Sequence, residues 1–402
     1  MDMREIFMAF TYKTTMKTCF VGYVVQAAVN NFAPLLFLTF QRSYNISLSK
    51  IALLVSFNFV TQLVIDLISA VVVDKIGYKR AVCAAHAFCA AGFILMSFLP
   101  DIMPDPFVGL VISIMVYAVG GGLIEVLISP IVENCPTDNK EQAMSMLHSF
   151  YCWGQMGVVL LSTLFFAALG VENWKLLSLI WALLPAANGV MFYFAPVPSP
   201  EADEEGIAAG IKKLFKMKMF WIFVLLMFCA GACELAVSQW ASTFAEKALG
   251  VSKTVGDLAG PMLFAVTMGT ARAFYGKYGD KIRLERFMII SCIACLAAYV
   301  AIALSPLPVI GFAGCALCGA SVGIMWPGTF SMAAKDIKGG GTVMFAFLAL
   351  AGDLGCSGGP FLVGMVSDAA GGSLNKGIAA AIVFPMLMIA GIMLCKHTAK
   401  KS

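Results

Sequence analysis

Asp74-Lys75-Ile76-Gly77-Tyr78-Lys79-Arg80 is a short charged turn that directly follows the apolar run Ile51–Val73. The pattern returns as Asp280-Lys281-Ile282-Arg283-Leu284-Glu285-Arg286, after the apolar run Leu258–Tyr275 and at an offset of 206 residues. Each copy is clamped between two long hydrophobic segments. In a chain of 402 residues, such an offset marks two halves of one architecture, the second repeating the order of the first.

The composition agrees with that reading. Hydrophobic residues make up 60% of the chain and charged residues 12%, with a mean hydropathy of +0.88, far from the balance of a soluble domain. Segments of about 20 apolar residues, the length that crosses a bilayer, recur along its whole length. Six fall in the first half, at Cys19–Phe40, Ile51–Val73, Ala81–Leu99, Phe107–Ile131, Met144–Leu169 and Leu176–Phe194. Six more fall in the second, at Met219–Phe244, Leu258–Tyr275, Phe287–Leu304, Val309–Ala333, Thr342–Val366 and Gly377–Cys395. These runs are too long and unbroken for the ten-residue alternation of a membrane β-barrel. The expected fold is therefore an all-α membrane protein, with twelve transmembrane helices in two pseudo-symmetric six-helix bundles. The bundles are placed at residues 1–195 and 219–402, joined by a cytoplasmic linker at 196–218.

Orientation follows from the basic residues. If the N-terminus is cytoplasmic, 20 of the 27 Lys and Arg lie in inside segments and 6 in outside loops, with Arg272 inside a span. Both termini are thus expected in the cytoplasm, in a plasma membrane of bacterial inner-membrane type. The first span is longer than a secretory core and no small-residue cleavage site ends it, so an uncleaved helix is expected. In the linker, Pro196, Pro198 and Pro200 stop the sixth helix, and an acidic stretch leads to Ile211-Lys212-Lys213-Leu214-Phe215-Lys216. That last piece suits an amphipathic segment on the anionic inner leaflet. The thirteen Cys lie mostly in spans as small packing residues, including Cys292-x-x-Cys295 and Cys315-x-x-Cys318.

With these features in place, the chain resembles the major facilitator superfamily. Asp74–Arg80 is similar to that family's signature loop between its second and third helices, with Ala70 at the usual glycine position and Gly276 at the same place in the second copy. Further motifs resemble the fucose permease-like sugar:proton symporter branch. They are Gly120-Gly121-Gly122-Leu123-Ile124-Glu125 with Pro130, Leu147-His148-Ser149-Phe150 with Gly154, and Gly269 with Arg272. Trp326-Pro327-Gly328-Thr329-Phe330-Ser331 and Val366-Ser367-Asp368-Ala369-Ala370-Gly371 complete the set. The resemblance implies alternating access between two six-helix halves, and a role in proton coupling for Glu125. One position departs from the branch. Its helix one carries an Asn-Asp pair, whereas this chain has Asn30-Asn31; the counterpart of Glu234 there is usually an amide. A carboxyl has thus moved from the first helix to the seventh, its symmetry partner.

Ionisable groups in a bilayer interior are costly and face water, a partner or a substrate path. Asp66, Glu125, Glu234, Arg272 and Asp353 fall within spans. Glu125 and Glu234 are the expected proton-coupling groups. Substrate contacts are expected from Gln26, Asn30 and Asn31 in the first helix, His148 in the fifth, Gln239 and Trp240 in the seventh, and Trp326 in the tenth. Gln26 and Asn30 are four apart and share a helical face, and Trp240 is equally well placed as an interfacial belt residue. Trp153 is a second possible stacking ring. Asp66 and Arg272, again 206 apart, read as gating or interhelical locks, as do Asp74, Lys75, Arg80 and Asp280; a plain topological role stands beside this for Lys75 and Arg80. His86 is expected as a packed or lipid-interface residue, and Asp353 is left open between a cavity acid and a partner for another helix.

No phosphate-cradling loop, metal cluster or catalytic constellation competes, so neither an enzyme nor a cofactor is expected. The leading expectation is a proton-coupled importer of a sugar or similar small polar metabolite, acting as a monomer in a lipid bilayer and not on nucleic acid. A proton-driven drug or metabolite exporter on the same fold, and a non-translocating nutrient receptor, are the alternatives.

Overall fold

The computed structural model describes residues 11–136, 140–198, 214–278, 282–304, 307–337 and 341–399. These are helical, with no strand among the described residues. Twelve rods follow one another. α1 runs over Tyr12–Asn31, turns through the 3-10 segment Ala33–Leu36 and resumes as Phe37–Tyr44. α2 is Leu48–Ile76, α3 Tyr78–Ile102, α4 Pro106–Asn134, α5 Lys140–Leu169 and α6 Trp174–Phe194. α7 is Lys218–Ser238, resuming as Ala241–Ala248. α8 joins Lys253–Asp257, a π turn at Leu258–Met262, and Leu263–Tyr278. α9 is Leu284–Leu304, α10 is Pro308–Val322 resuming as Met325–Asp336, α11 is Gly341–Ala369, and α12 is Leu374–Ala380 resuming as Val383–Ala399.

Eleven stretches among the described residues are long and apolar enough to cross a membrane, and the chain is a multi-pass membrane protein. The expected eighth span is the exception. Its π turn contains Pro261, which removes a backbone donor, and the helix that remains is only 16 residues long and carries Arg272. The break in α1 has the same kind of cause, since Pro34 opens a 3-10 turn there. The break in α7 falls at Gln239–Trp240, and Gln239 lies 206 residues after Ala33, so the two halves share this interruption.

The rods form two compact units, Met1–Ile46 with Phe57–Asp203, and Ser47–Ser56 with Glu204–Ser402. Most of the expected linker, at 199–213, lies outside the described residues. In the first unit α3 packs along α4 and α6, and α1 along α4 and α5. In the second, α7 lies on α11 and α12, and α8 and α9 on α10. Helices in lipid associate through close van der Waals contact, because the tails are as apolar as leucine. Glycine supplies that closeness. In α4, a side chain at Gly120 would strike the backbone of α3 at Ala85 and Cys89, and one at Gly122 would come within 3.0 Å of the Gln62 backbone. In the second unit Gly231 of α7 lies against the Gly352 carbonyl, and Gly355 against the Phe228 carbonyl. Between α2 and α3 the chain turns at Gly77, whose φ of 84° suits only a residue without Cβ.

Candidate functional site

In the first unit the polar side chains of α1, α2 and α4 meet. Gln26 Nε2 donates to Gln62 Oε1 at 2.8 Å and to Glu125 Oε2 at 3.2 Å. Asn30 Oδ1 accepts from Asn58 Nδ2 at 3.0 Å and from Gln62 Nε2 at 2.9 Å, while Asn30 Nδ2 donates to Tyr151 of α5 at 3.4 Å. Gln26 and Asn30 thus lie on one face, as their spacing requires. Asn31 instead returns its amide to the Ala27 carbonyl of its own helix at 2.9 Å. Nearby, Tyr23 pairs with Ser129 Oγ at 3.0 Å. The network leaves acceptors open: Gln26 Oε1, Asn58 Oδ1 and Asp66 Oδ1 are buried and without a hydrogen-bond partner.

The interhelical lock expected of Asp66 is not formed with any described residue. Its neighbour is another acid, because the Asp66 and Glu125 carboxyls act on each other electrostatically. Arg272, at the equivalent place in the second unit, does lock helices together. Its Nη2 lies 3.4 Å from Glu234 Oε2, and its Nε donates to the Gly323 carbonyl at 3.3 Å, where α10 is interrupted. Arg272 therefore ties α7, α8 and α10, and Glu234 has a counter-charge.

Trp240 is not an exposed interfacial-belt residue. It is 0% exposed and its indole donates to the Pro360 carbonyl at 3.0 Å, so the ring is a packing element between α7 and α11. Gln239 is also buried. Trp326 lies across the bare backbone of Gly352, next to the buried Asp353, whereas Trp153 is largely exposed. His86 is packed, with Nδ1 2.8 Å from the Val82 carbonyl and Nε2 2.8 Å from Asn188 Nδ2. Arg80 is exposed. The side chains of Asp74, Lys75 and His148 lie outside the described residues, as does all of Asp280.

Sequence reasoning missed Asn58, Gln62 and Tyr151. A signal was present, since Asn58, Gln62 and Asp66 recur every four residues and draw a polar stripe along an otherwise apolar helix. It also missed a buried charge cluster at the α7–α8 corner. There Lys253 reaches Asp257 at 3.1 Å and Glu246 at 3.7 Å, and Ser242 bonds Asp257.

Residues 18–360 match the Major Facilitator Superfamily, and the chain belongs to that family of membrane transporters. Solved structures repeat the fold over nearly its whole length. The D-xylose-proton symporter superposes with a TM-score of 0.81 at 14% identity, covering 96% of this chain and 97% of that one. A bacterial homolog of the human lysosomal transporter Spinster gives 0.78 at 13%, covering 97% and 98%. The E. coli fucose:proton symporter gives 0.66 at 16%, covering 96% and 99%. No curated protein matches the chain by sequence.

Proposed function

We propose that the chain is a proton-coupled symporter for a sugar or a similar small polar solute, importing it by alternating access. The membrane is of the bacterial inner-membrane type, with both termini cytoplasmic. The observation that carries this reading is the amide network of the first unit. Neutral amides in an apolar interior are costly unless satisfied. Here Gln26, Asn30, Asn58 and Gln62 satisfy one another only in part, leaving acceptor oxygens open. Hydroxyl groups of a polyol are donors that complete such a set, while an apolar drug is not. Glu125, attached to the same network through Gln26, supplies the carboxyl that a proton needs.

Glu234 is the second proton group in this reading, with a condition set by its partner. Arg272 balances its charge, so protonating Glu234 competes with the ion pair and frees the α7–α8–α10 tie. The D-xylose and fucose symporters named above are sugar:proton carriers by title, which agrees with the proposal without extending their substrates to this chain. The test is uptake of a labelled monosaccharide panel into proteoliposomes with an imposed pH gradient. Accumulation of at least one sugar, with lumenal pH changing in step, is expected. Expulsion of hydrophobic cations with no sugar uptake would assign the exporter function instead.

A further inference from the structure

The first unit holds two acids that interact, and among its described side chains no base pairs with either. Asp66 and Glu125 interact electrostatically, yet no Lys, Arg or His whose side chain is described lies within ion-pair distance of either. Two like charges in an apolar interior without a counter-ion are prohibitive, and one proton removes the conflict.

The hydrogen bonds say how the two acids differ. Glu125 Oε2 accepts from Gln26 Nε2 at 3.2 Å, a donor that supports the ionised form. Asp66 Oδ1 is buried and receives no donor. A proton on Asp66 turns that open acceptor into a donor. A second open acceptor sits in the same cluster: Gln26 is 2% exposed, its Oε1 is unpartnered, and Oε1 shares a carboxamide with the nitrogen that holds Glu125. Among the described side chains, the other titratable groups nearby are phenols: Tyr23 of α1, which acts on Glu125 and is bonded to Ser129 of α4, and Tyr151 of α5, bonded to Asn30. Neither supplies a positive charge. α2 packs directly on α4 here, since a Cβ at Gly122 would lie 3.1 Å from Ile65 Cβ, one residue from Asp66.

We propose that Asp66 and Glu125 form one proton-carrying pair, a single proton being taken from water by the Asp66 carboxylate and returned to water on the opposite side. Asp66 then works as a coupling residue instead of a gate. The inference rests on the proton-coupled reading above.

Infrared spectroscopy of purified protein reports the protonated carboxyl without any substrate. A protonated-carboxyl band is expected near neutral pH in the wild type and is lost in Asp66→Asn. In proteoliposomes Asp66→Asn should reduce gradient-driven accumulation by about tenfold or more while solute exchange persists. The double variant with Glu125→Gln should be no worse than either single, because members of one unit are not additive. Asp66→Glu, which restores a carboxyl, should recover part of the coupling; equal loss in Asp66→Asn and Asp66→Glu, with lowered melting temperatures, would make the residue structural and overturn the pair. An unchanged band in Asp66→Asn would overturn it too, as would a band that Na+ removes at constant pH. A wild type that couples no sugar to protons, yet shows the band and loses it in Asp66→Asn, would defeat the functional reading and leave the pair standing.

Discussion

Positions 66 and 272 are equivalent in the repeat, yet one unit places an acid there and the other a base. In the second unit the base closes a local account of charge: Arg272 meets Glu234 and the Gly323 carbonyl, and three helices are tied. In the first unit Asp66 faces another acid, Glu125, and the polar atoms around them are left short of donors. The same backbone thus supports an ion-paired lock in one unit and, among the described side chains, an unpaired acid cluster in the other. Pseudo-symmetry conserves the order of the helices and the break shared by α1 and α7, while the division of labour sits in a few side chains at matched places.

The strongest way to break the comparison is to remove the first unit's acid. Glu125→Gln should abolish gradient-driven accumulation, a loss of about tenfold or more, equivalent to at least 1.4 kcal/mol, while exchange persists. Measured as the accumulation ratio under an imposed pH gradient, a wild-type value would remove Glu125 from the coupling and dissolve the contrast between the units.

The lock predicts a different kind of damage. Arg272→Gln leaves Glu234 without its counter-charge, and breaking a buried pair costs about 3–5 kcal/mol. Arg272 is 29% exposed and Glu234 14%, so the lower part of that range is expected, read as a lowered melting temperature. The Arg272→Gln, Glu234→Gln double variant should recover most of it. If the single and the double are equally unstable, the pair is not what holds α8 in place.

The charged loops, the 206-residue offset and the long apolar runs made the fold readable, because a bilayer permits few alternatives to a helix. The acids were visible for the same reason. What the sequence hid is which neighbour each side chain meets. Asp66 and Arg272 looked alike by position, and only packing shows that Asp66 meets another acid while Arg272 meets a counter-charge. Trp240 illustrates a second blind spot: in a membrane an aromatic ring is at home against lipid, solute or another helix, so hydropathy does not separate the three. The π turn in α8 was hidden too, since apolar composition continues across Pro261.

Trp240 gives a sharper and smaller test. Its indole donates to the Pro360 carbonyl at 3.0 Å in full burial. Trp240→Phe removes that donor while the Pro360 carbonyl keeps its helical partner, and should cost about 0.5–1.5 kcal/mol, the net worth of one buried hydrogen bond, with solute affinity unchanged. A large fall in affinity with no change in melting temperature would return Trp240 to the substrate contacts.

The smallest expected effect separates two helical glycines of the first unit, Gly121 and Gly157. A Cβ at Gly121 would stand 2.9 Å from Gln26 Oε1 and 3.1 Å from Val29 Cγ1, tighter than ordinary contact. Gln26 is the flexible partner, so it yields, and its bonds to Gln62 and Glu125 shift with it. Nothing lies within 4 Å of a Cβ at Gly157. Gly157→Ala should therefore be neutral or stabilising by up to about 1 kcal/mol, the helix-propensity difference between the two residues. In Gly121→Ala the same propensity gain offsets the contact strain, and melting temperature should change little. Proton-driven accumulation should nevertheless fall a few-fold, because the donor that holds Glu125 has moved. If Gly121→Ala and Gly157→Ala accumulate solute equally well, the position of Gln26 does not matter to coupling, and the first unit's network is packing alone.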